Sequence, residues 1–164
     1  MHGCLLHKHL LAMQTKTIQP IHVLCFETQT SFKEIFQYVR VEARNLYQDA
    51  VHNDLEITGP VYWVYQGADG QPDTVFTLTI ALPVTPPAHA TDSRYRLKQL
   101  EAFECISEDL YGNWDGLVNT YGSLFGEIMS RKLVMTGQNR EIYLNMDFEN
   151  PERNITEVQI GILK

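Results

Sequence analysis

The chain lacks the features that mark most specialised protein classes. Its 164 residues include only three cysteines, Cys4, Cys25 and Cys105. They show neither CxxC spacing nor an even count, and they read as reduced thiols of a cytoplasmic protein rather than a disulfide framework. No cluster of Lys or Arg appears, and 13 basic against 20 acidic residues give a formal net charge of −7. That balance argues against a nucleic-acid-binding face and biases the chain weakly towards cationic partners. No apolar run approaches the ~18 residues of a membrane helix. The opening MHGCLLHKHLLA has a short apolar stretch broken by histidines and lacks a clear cleavage site. Residues 1–15 therefore read as a disordered or non-native extension, with Met13 as a natural start. His2, His7 and His9 in that tail read as solvated. No cofactor or metal site is expected, and no nucleophile–base pair of familiar spacing occurs.

What is present is ordinary in amount but ordered in pattern. Hydrophobic residues make up 44% and charged residues 20%, which fits one well-packed core and is short for two independent domains. A shift of about 80 residues brings the two halves of the chain into register. VLCFET (23–28) meets FECISE (103–108), so that Cys25 falls on Cys105. VYWVY (61–65) meets EIYLN (141–145), and TVFTLTIAL (74–82) meets NITEVQIGIL (154–163). Each half reads strand, helix, strand, strand. A helix is expected over 31–51, opened by a Ser31/Glu34 capping box and carrying an apolar stripe from Phe32 to Ala50 at helical spacing. A second is expected over 113–133, with a stripe from Trp114 to Met129. The Pro-rich segment around 85–95 reads as a linker, dividing repeat 1 (about 16–84) from repeat 2 (about 96–164) within one domain.

The hairpin strands alternate. Even positions (Tyr62, Val64, Phe76, Leu78, Ile80 and Ile142, Leu144, Val158, Ile160) read as the face packed on the helices. Odd positions carry Trp63, Tyr65, Glu141, Tyr143 and Glu157. Large aromatics beside carboxylates point to a face that holds something, because such rings offer apolar area with a polar handle. An exposed face with scattered aromatics and a dimer interface are the alternatives. A symmetric turn about Glu149 would set Glu141 opposite Glu157. Such a pair serves equally as a cation site, a solvated charge cluster, or general acid and base. A slip of one residue would undo it.

With these residues in view, the chain resembles the GyrI-like, AraC-type bacterial effector-binding family over about 16–163. The resemblance rests on the twofold strand order, GPVYWVY (59–65), TLTIALPV (77–84) and above all REIYLNMDFENPERNITEVQIGIL (140–163). It implies an α+β fold: duplicated βαββ modules with pseudo-twofold symmetry, forming an antiparallel saddle-shaped sheet with helices on the convex side. It implies a cleft between the repeats for amphipathic, often lipophilic cations, with Glu141 meeting the charge. Glu157, Tyr143, Trp63 and Tyr65 stand beside it, and Trp114 and Tyr38 are further wall candidates. The chain starts almost at the first strand and looks like the free-standing form, similar to cationic drug-binding proteins of integron cassettes, so direct nucleic-acid binding is not expected. A transcription regulator or gyrase is the protein partner the family implies, and a monomer or weak dimer is expected. A hydrolase opening strained cyclopropanoid electrophiles, with Glu141 as acid or base, is the catalytic alternative.

Overall fold

A computed structural model describes residues 13–163. Cys4, His2, His7 and His9, with most of the expected extension, lie outside the described residues. The extension stops short of 15, because Gln14–Ile18 form the first strand, β1. There follow β2 (Ile21–Thr30), α1 (Glu42–His52), β3 (Tyr62–Gln66), β4 (Phe76–Pro83), β5 (Arg96–Leu100), β6 (Phe103–Tyr111), α2 (Leu117–Ser130), β7 (Met135–Asn145) and β8 (Ile155–Ile162). The fold is α+β. All eight strands form one antiparallel sheet in the order β1-β6-β8-β7-β3-β4-β2-β5.

The two edge strands, β1 and β5, were not anticipated. QTKTI and RLKQL are short, mostly exposed and carry lysine, which keeps an edge from pairing with other chains but leaves no apolar alternation to read. The first expected helix is also shorter than its stripe. A 3-10 turn at Ile35–Gln37 comes first, Arg40 adopts a left-handed φ of 64°, and α1 begins only at Glu42. Tertiary contacts override the pattern here. The Phe32 ring packs 4.8 Å from Phe76, Lys33 pairs with Asp73, and the Lys33 amide donates to the Pro72 carbonyl at 3.2 Å. The Ser31/Glu34 box forms no side-chain cap; the Glu34 amide donates to the Ser31 carbonyl instead. In the second half, the Asn113 side chain accepts from the Asp115 amide at 3.1 Å and caps a 3-10 turn, Trp114–Gly116, that leads into α2.

Strand register corrects the expected faces. Trp63 lies opposite Ile80 and Tyr65 opposite Leu78, so odd residues of β3 share a face with even residues of β4. The same holds in the second hairpin, where Glu141 faces Val158 and Glu157 faces Ile142. A 3-10 turn at Pro151–Arg153 and a β-bulge between Tyr143 and Asn145 replace the symmetric turn. A shift of one position sends every side chain of a strand to the other face.

The helices cover the face bearing Trp63, Tyr65 and Glu141. Leu46 and Ala50 of α1 pack with Leu24, Leu78 and Ile80, while Leu124 and Ile128 of α2 pack with Ile106, Val158 and Ile160. Each such Leu or Ile contributes about 1.5–3 kcal/mol by burial. The reverse face has a smaller core of Val23, Cys25, Val64, Ala81 and Leu100. Cys25 and Cys105 are free and buried there, and burial raises both thiols, Cys105 to about 11. They are structural rather than reactive cysteines.

Gly161 tests the close packing of the reverse face. A β-carbon there would collide with Thr136 Oγ1 and stand 2.7 Å from Phe103 Cε2 and 2.9 Å from the Gln138 carbonyl. Gly161→Ala is expected to cost about 1–3 kcal/mol as overpacking. Thermal unfolding should show the midpoint falling by several degrees, at roughly 2–4 °C per kcal/mol for a chain of this size.

Candidate functional site

Eight strands about 4.8 Å apart make a sheet roughly 34 Å wide, and two helices about 10–12 Å across cannot cover it. α1 rests on β2 and β4, and α2 on β6 and β8. The central pair, β3 and β7, lies between these two packed zones. Over it opens a cavity of about 1350 Å³. Trp63 lies opposite Glu141, and Tyr65 opposite Asn139, across the β3–β7 seam. Trp63, Tyr65, Glu141 and Tyr143 therefore share the cavity floor. Phe32 and Tyr47 line one wall and Leu117 and Tyr121 the other, with Trp114 and Phe148 towards one end. The cavity lies on the helix-bearing face of the sheet, between the helices. The expectation of a site on the helix-free face does not hold, because the one-residue register shift moved the odd residues of β3 and β7 under the helices.

Glu141 is 5% exposed and accepts hydrogen bonds from three tyrosines. Tyr65 and Tyr143 donate to Oε2 at 2.9 and 2.6 Å, and Tyr121 donates to Oε1 at 2.9 Å. The donors come from β3, β7 and α2, so one carboxylate joins two central strands to a helix. Burial pushes the Glu141 carboxyl above the usual glutamate range, and the three hydroxyl bonds pull partly against it. Burial and the neighbouring carboxylate hold all three tyrosines well above their ordinary value, so they stay protonated donors. Among the described residues no Lys, Arg or His forms an ion pair with Glu141. Oε2 takes two of the three bonds and Oε1 one, leaving Oε1 the greater remaining acceptor capacity.

The aromatic groups form a connected wall. Tyr143 meets Trp63 edge-on at 6.1 Å and Trp114 at 5.7 Å, and Trp114 meets Phe148 at 5.2 Å. The Trp114 indole N–H donates to Thr156 Oγ1 at 3.0 Å, which satisfies its polar end and leaves the ring as apolar surface.

Of the seven residues singled out in the sequence, the structure brings Glu141, Trp63, Tyr65, Tyr143 and Trp114 together on this lining. Two are elsewhere. Glu157 lies on the reverse face, where Lys16 Nζ is 2.8 Å from its Oε1 and the Gln159 amide donates to the same oxygen at 2.8 Å. Tyr38 packs against Phe26 at 5.5 Å, away from the cavity lining. Sequence reasoning passed over Tyr121, which it placed among the core residues of the second helix. Its hydroxyl was the available signal, since a tyrosine in an apolar stripe needs a polar partner. Phe148 sits in what read as a turn, and nothing in its spacing marked it.

No group of three or more His, Cys, Asp or Glu is placed to hold a metal among the described residues, and no helix of theirs is long and apolar enough to cross a membrane.

The EcmrR C-terminal domain superposes with a TM-score of 0.74 at 15% identity, covering 93% of this chain and 98% of that one. In the EcmrR–DNA complex the TM-score is 0.75 at 15% identity and 93% of this chain is covered, yet the chain spans only 57% of EcmrR. SAV2435 bound to tetraphenylphosphonium gives a TM-score of 0.65 at 14% identity, covering 93% and 94%. A hydrolase encoded by lin2189 from Listeria innocua gives 0.64 at 16%, covering 92% and 91%. At these identities the likeness establishes the fold. Comparison with curated protein sequences found no match. The model of the GyrI-like small molecule binding domain, however, matches residues 12–163. Nearly the whole chain is thus accounted for, and it belongs to the GyrI-like small molecule binding domain family.

Proposed function

We propose that this protein binds amphipathic, lipophilic organic cations in the cavity between its helices, for sensing or sequestration, with Glu141 as the charge anchor. One observation carries the reading: a buried carboxylate held by three neutral donors, with no cationic side chain paired to it, at the floor of an aromatic cavity. A buried charge without a counter-charge is costly. A ligand cation supplies that counter-charge, and the rings add cation–π attraction of about 0.5–2 kcal/mol each. At about 1350 Å³ the space exceeds the ~300–1,000 Å³ of ordinary ligand pockets, which suits bulky polycyclic ligands. The tetraphenylphosphonium held by SAV2435, a protein of the same fold, is of that chemical kind.

A catalytic reading has one observation in its favour: a glutamate of raised pKa in contact with tyrosine hydroxyls, as in a general acid or base. The fold of the Listeria innocua hydrolase is compatible with it. Among the described residues, however, no Ser, Cys, Lys or His lines the cavity to act as nucleophile. Holding is the better-supported role.

Titration with rhodamine 6G should quench the emission of Trp63 and Trp114 saturably. Glu141→Gln should weaken binding roughly 10–100-fold, the scale of a lost charge-assisted contact, while a neutral compound of similar shape loses little. Unchanged rhodamine 6G affinity in that variant would remove the anchor role.

The pH dependence has a defined sign. The folded state raises the Glu141 pKa, so it retains the proton to higher pH than the unfolded chain does. This group's contribution to stability therefore falls as pH rises from the unfolded value through the folded one. A cation binds the ionised form, so its affinity should drop about tenfold per pH unit below the folded value and level off above it. Tyr121→Phe removes one of the bonds that lower the pKa and should shift that break to higher pH. Calorimetric titration across pH 4–8 would detect the shift, and an identical profile in the variant would contradict the electrostatic assignment.

A further inference from the structure

The mouth of the cavity carries charge of the opposite sign to its floor. Among the described residues, four charged ones line the space: Glu141, Asp69, Arg40 and Arg44. Asp69 is committed to its own turn. Its Oδ1 accepts from the Gln71 amide and its Oδ2 from the Thr74 hydroxyl, both at 2.9 Å, and these bonds lower its pKa. The two arginines are exposed and stand four positions apart, where α1 and the break before it pass the opening. Among the described residues neither guanidinium has a carboxylate within ion-pair distance.

Arg40 is nonetheless positioned. Its guanidinium carbon lies 3.9 Å above the centroid of Phe148. Stacking uses the flat face of a guanidinium and leaves the N–H groups pointing outward in its plane, where they suit a carboxylate or phosphate fork. From Phe148 the aromatic wall runs inward through Trp114 at 5.2 Å and Tyr143 at 5.7 Å, and the Tyr143 hydroxyl reaches Glu141 at 2.6 Å. Three rings thus connect a cationic mouth to an anionic floor. A simple lipophilic cation satisfies the floor and is repelled at the mouth. A ligand carrying a cation at one end, an aromatic or apolar body, and an oxyanion at the other satisfies both.

We infer that the cavity selects zwitterionic amphiphiles, with Arg40 and Arg44 as specificity-determining residues for the anionic end. This rests on the proposal that Glu141 binds the ligand's cationic group and narrows it from cations in general to charge-separated ones. The chemistry required at the mouth is a monoanionic oxyacid group, whether carboxylate or phosphate.

A matched pair of dyes tests the inference. Rhodamine 6G is an ethyl ester with net positive charge. Rhodamine 19 is the same fluorophore with that ester hydrolysed to a free carboxylate. Fluorescence-polarisation titration at neutral pH should show rhodamine 19 binding roughly tenfold more tightly, as for one charge-assisted contact at an open site. In Arg40→Gln/Arg44→Gln the two dyes should converge, because the ester form loses nothing. Arg40→Glu/Arg44→Glu should reverse the order. Glu141→Gln should weaken both dyes and preserve the preference between them. Both arginines are exposed, and circular dichroism would confirm that the variants remain folded. If rhodamine 6G binds as well as or better than rhodamine 19, or if the preference survives loss of both arginines, the inference fails while the cation site stands. If neither dye binds, both fail.

Discussion

The arrangement of this molecule depends on one ionisable group kept out of water with no ion-pair partner among the described residues. Glu141 is tolerated in the interior because tyrosines from β3, β7 and α2 each direct a hydroxyl at it. Those bonds do structural as well as electrostatic work. The seam between β3 and β7 is where the two hairpins meet in the sheet, and the α2 hydroxyl ties the second helix to it. Because its three donors come from two central strands and a helix, the Glu141 carboxyl links the cavity floor to the cohesion of that seam. Neutral donors stabilise the anion only in part, and burial leaves its pKa raised.

The cavity itself follows from a mismatch of widths. Two helices pack over the outer parts of each half-sheet, and the central strands, being uncovered, must present side chains suited to a partly open apolar space. Trp63 at 6% exposure and Tyr65 at 5% are nearly as buried as core residues, because neighbouring rings cover one another. The wall is consequently preformed, and its rings are fixed by contacts outside the cavity: Trp114 through Thr156, and Tyr65 against Phe76. Preorganised aromatics lose little entropy when a ligand arrives.

Much of this was legible in the residues. The alternation of VYWVY and EIYLN drew attention to the central strands and to Glu141, Tyr143, Trp63 and Tyr65, which lie together on the cavity lining. What alternation alone left open was which rows share a face. That is decided by loop length and by the bulge near Tyr143, where one residue inverts the answer. Glu157 was lost to the site for this reason and Glu141 acquired Val158 opposite it. The edge strands were illegible because edges shun the apolar pattern that reveals interior strands. The break at Arg40 was hidden by a continuous apolar stripe, since Phe32 and Ile35 are apolar for sheet contacts rather than for a helix face. Tyr121 was legible as buried, and only its hydroxyl distinguished a partner of Glu141 on the cavity lining from a core residue.

The register also explains why Glu141 remains unpaired when an arginine is its immediate neighbour in sequence. Alternation along β7 places Arg140 and Glu141 on opposite faces of the sheet. Arg140 packs over the Phe103 ring at 3.8 Å and donates to Gln138 Oε1 and the Glu101 carbonyl. Burial lowers its pKa to about 10, which still leaves it charged at neutral pH. On that reverse face two acids are paired locally, Glu157 with Lys16 and Glu27 with Lys98. Those pairs are complete and have no need of a ligand. On the helix-bearing face the same strand presents a carboxylate to hydroxyls alone. The two faces of one sheet thus differ: the reverse face pairs Glu157 and Glu27 with lysines of the edge strands, and the helix-bearing face presents Glu141 to the space between the helices. Had β7 been shifted by one residue, Arg140 rather than Glu141 would occupy the cavity floor, and the sign of its charge would be reversed.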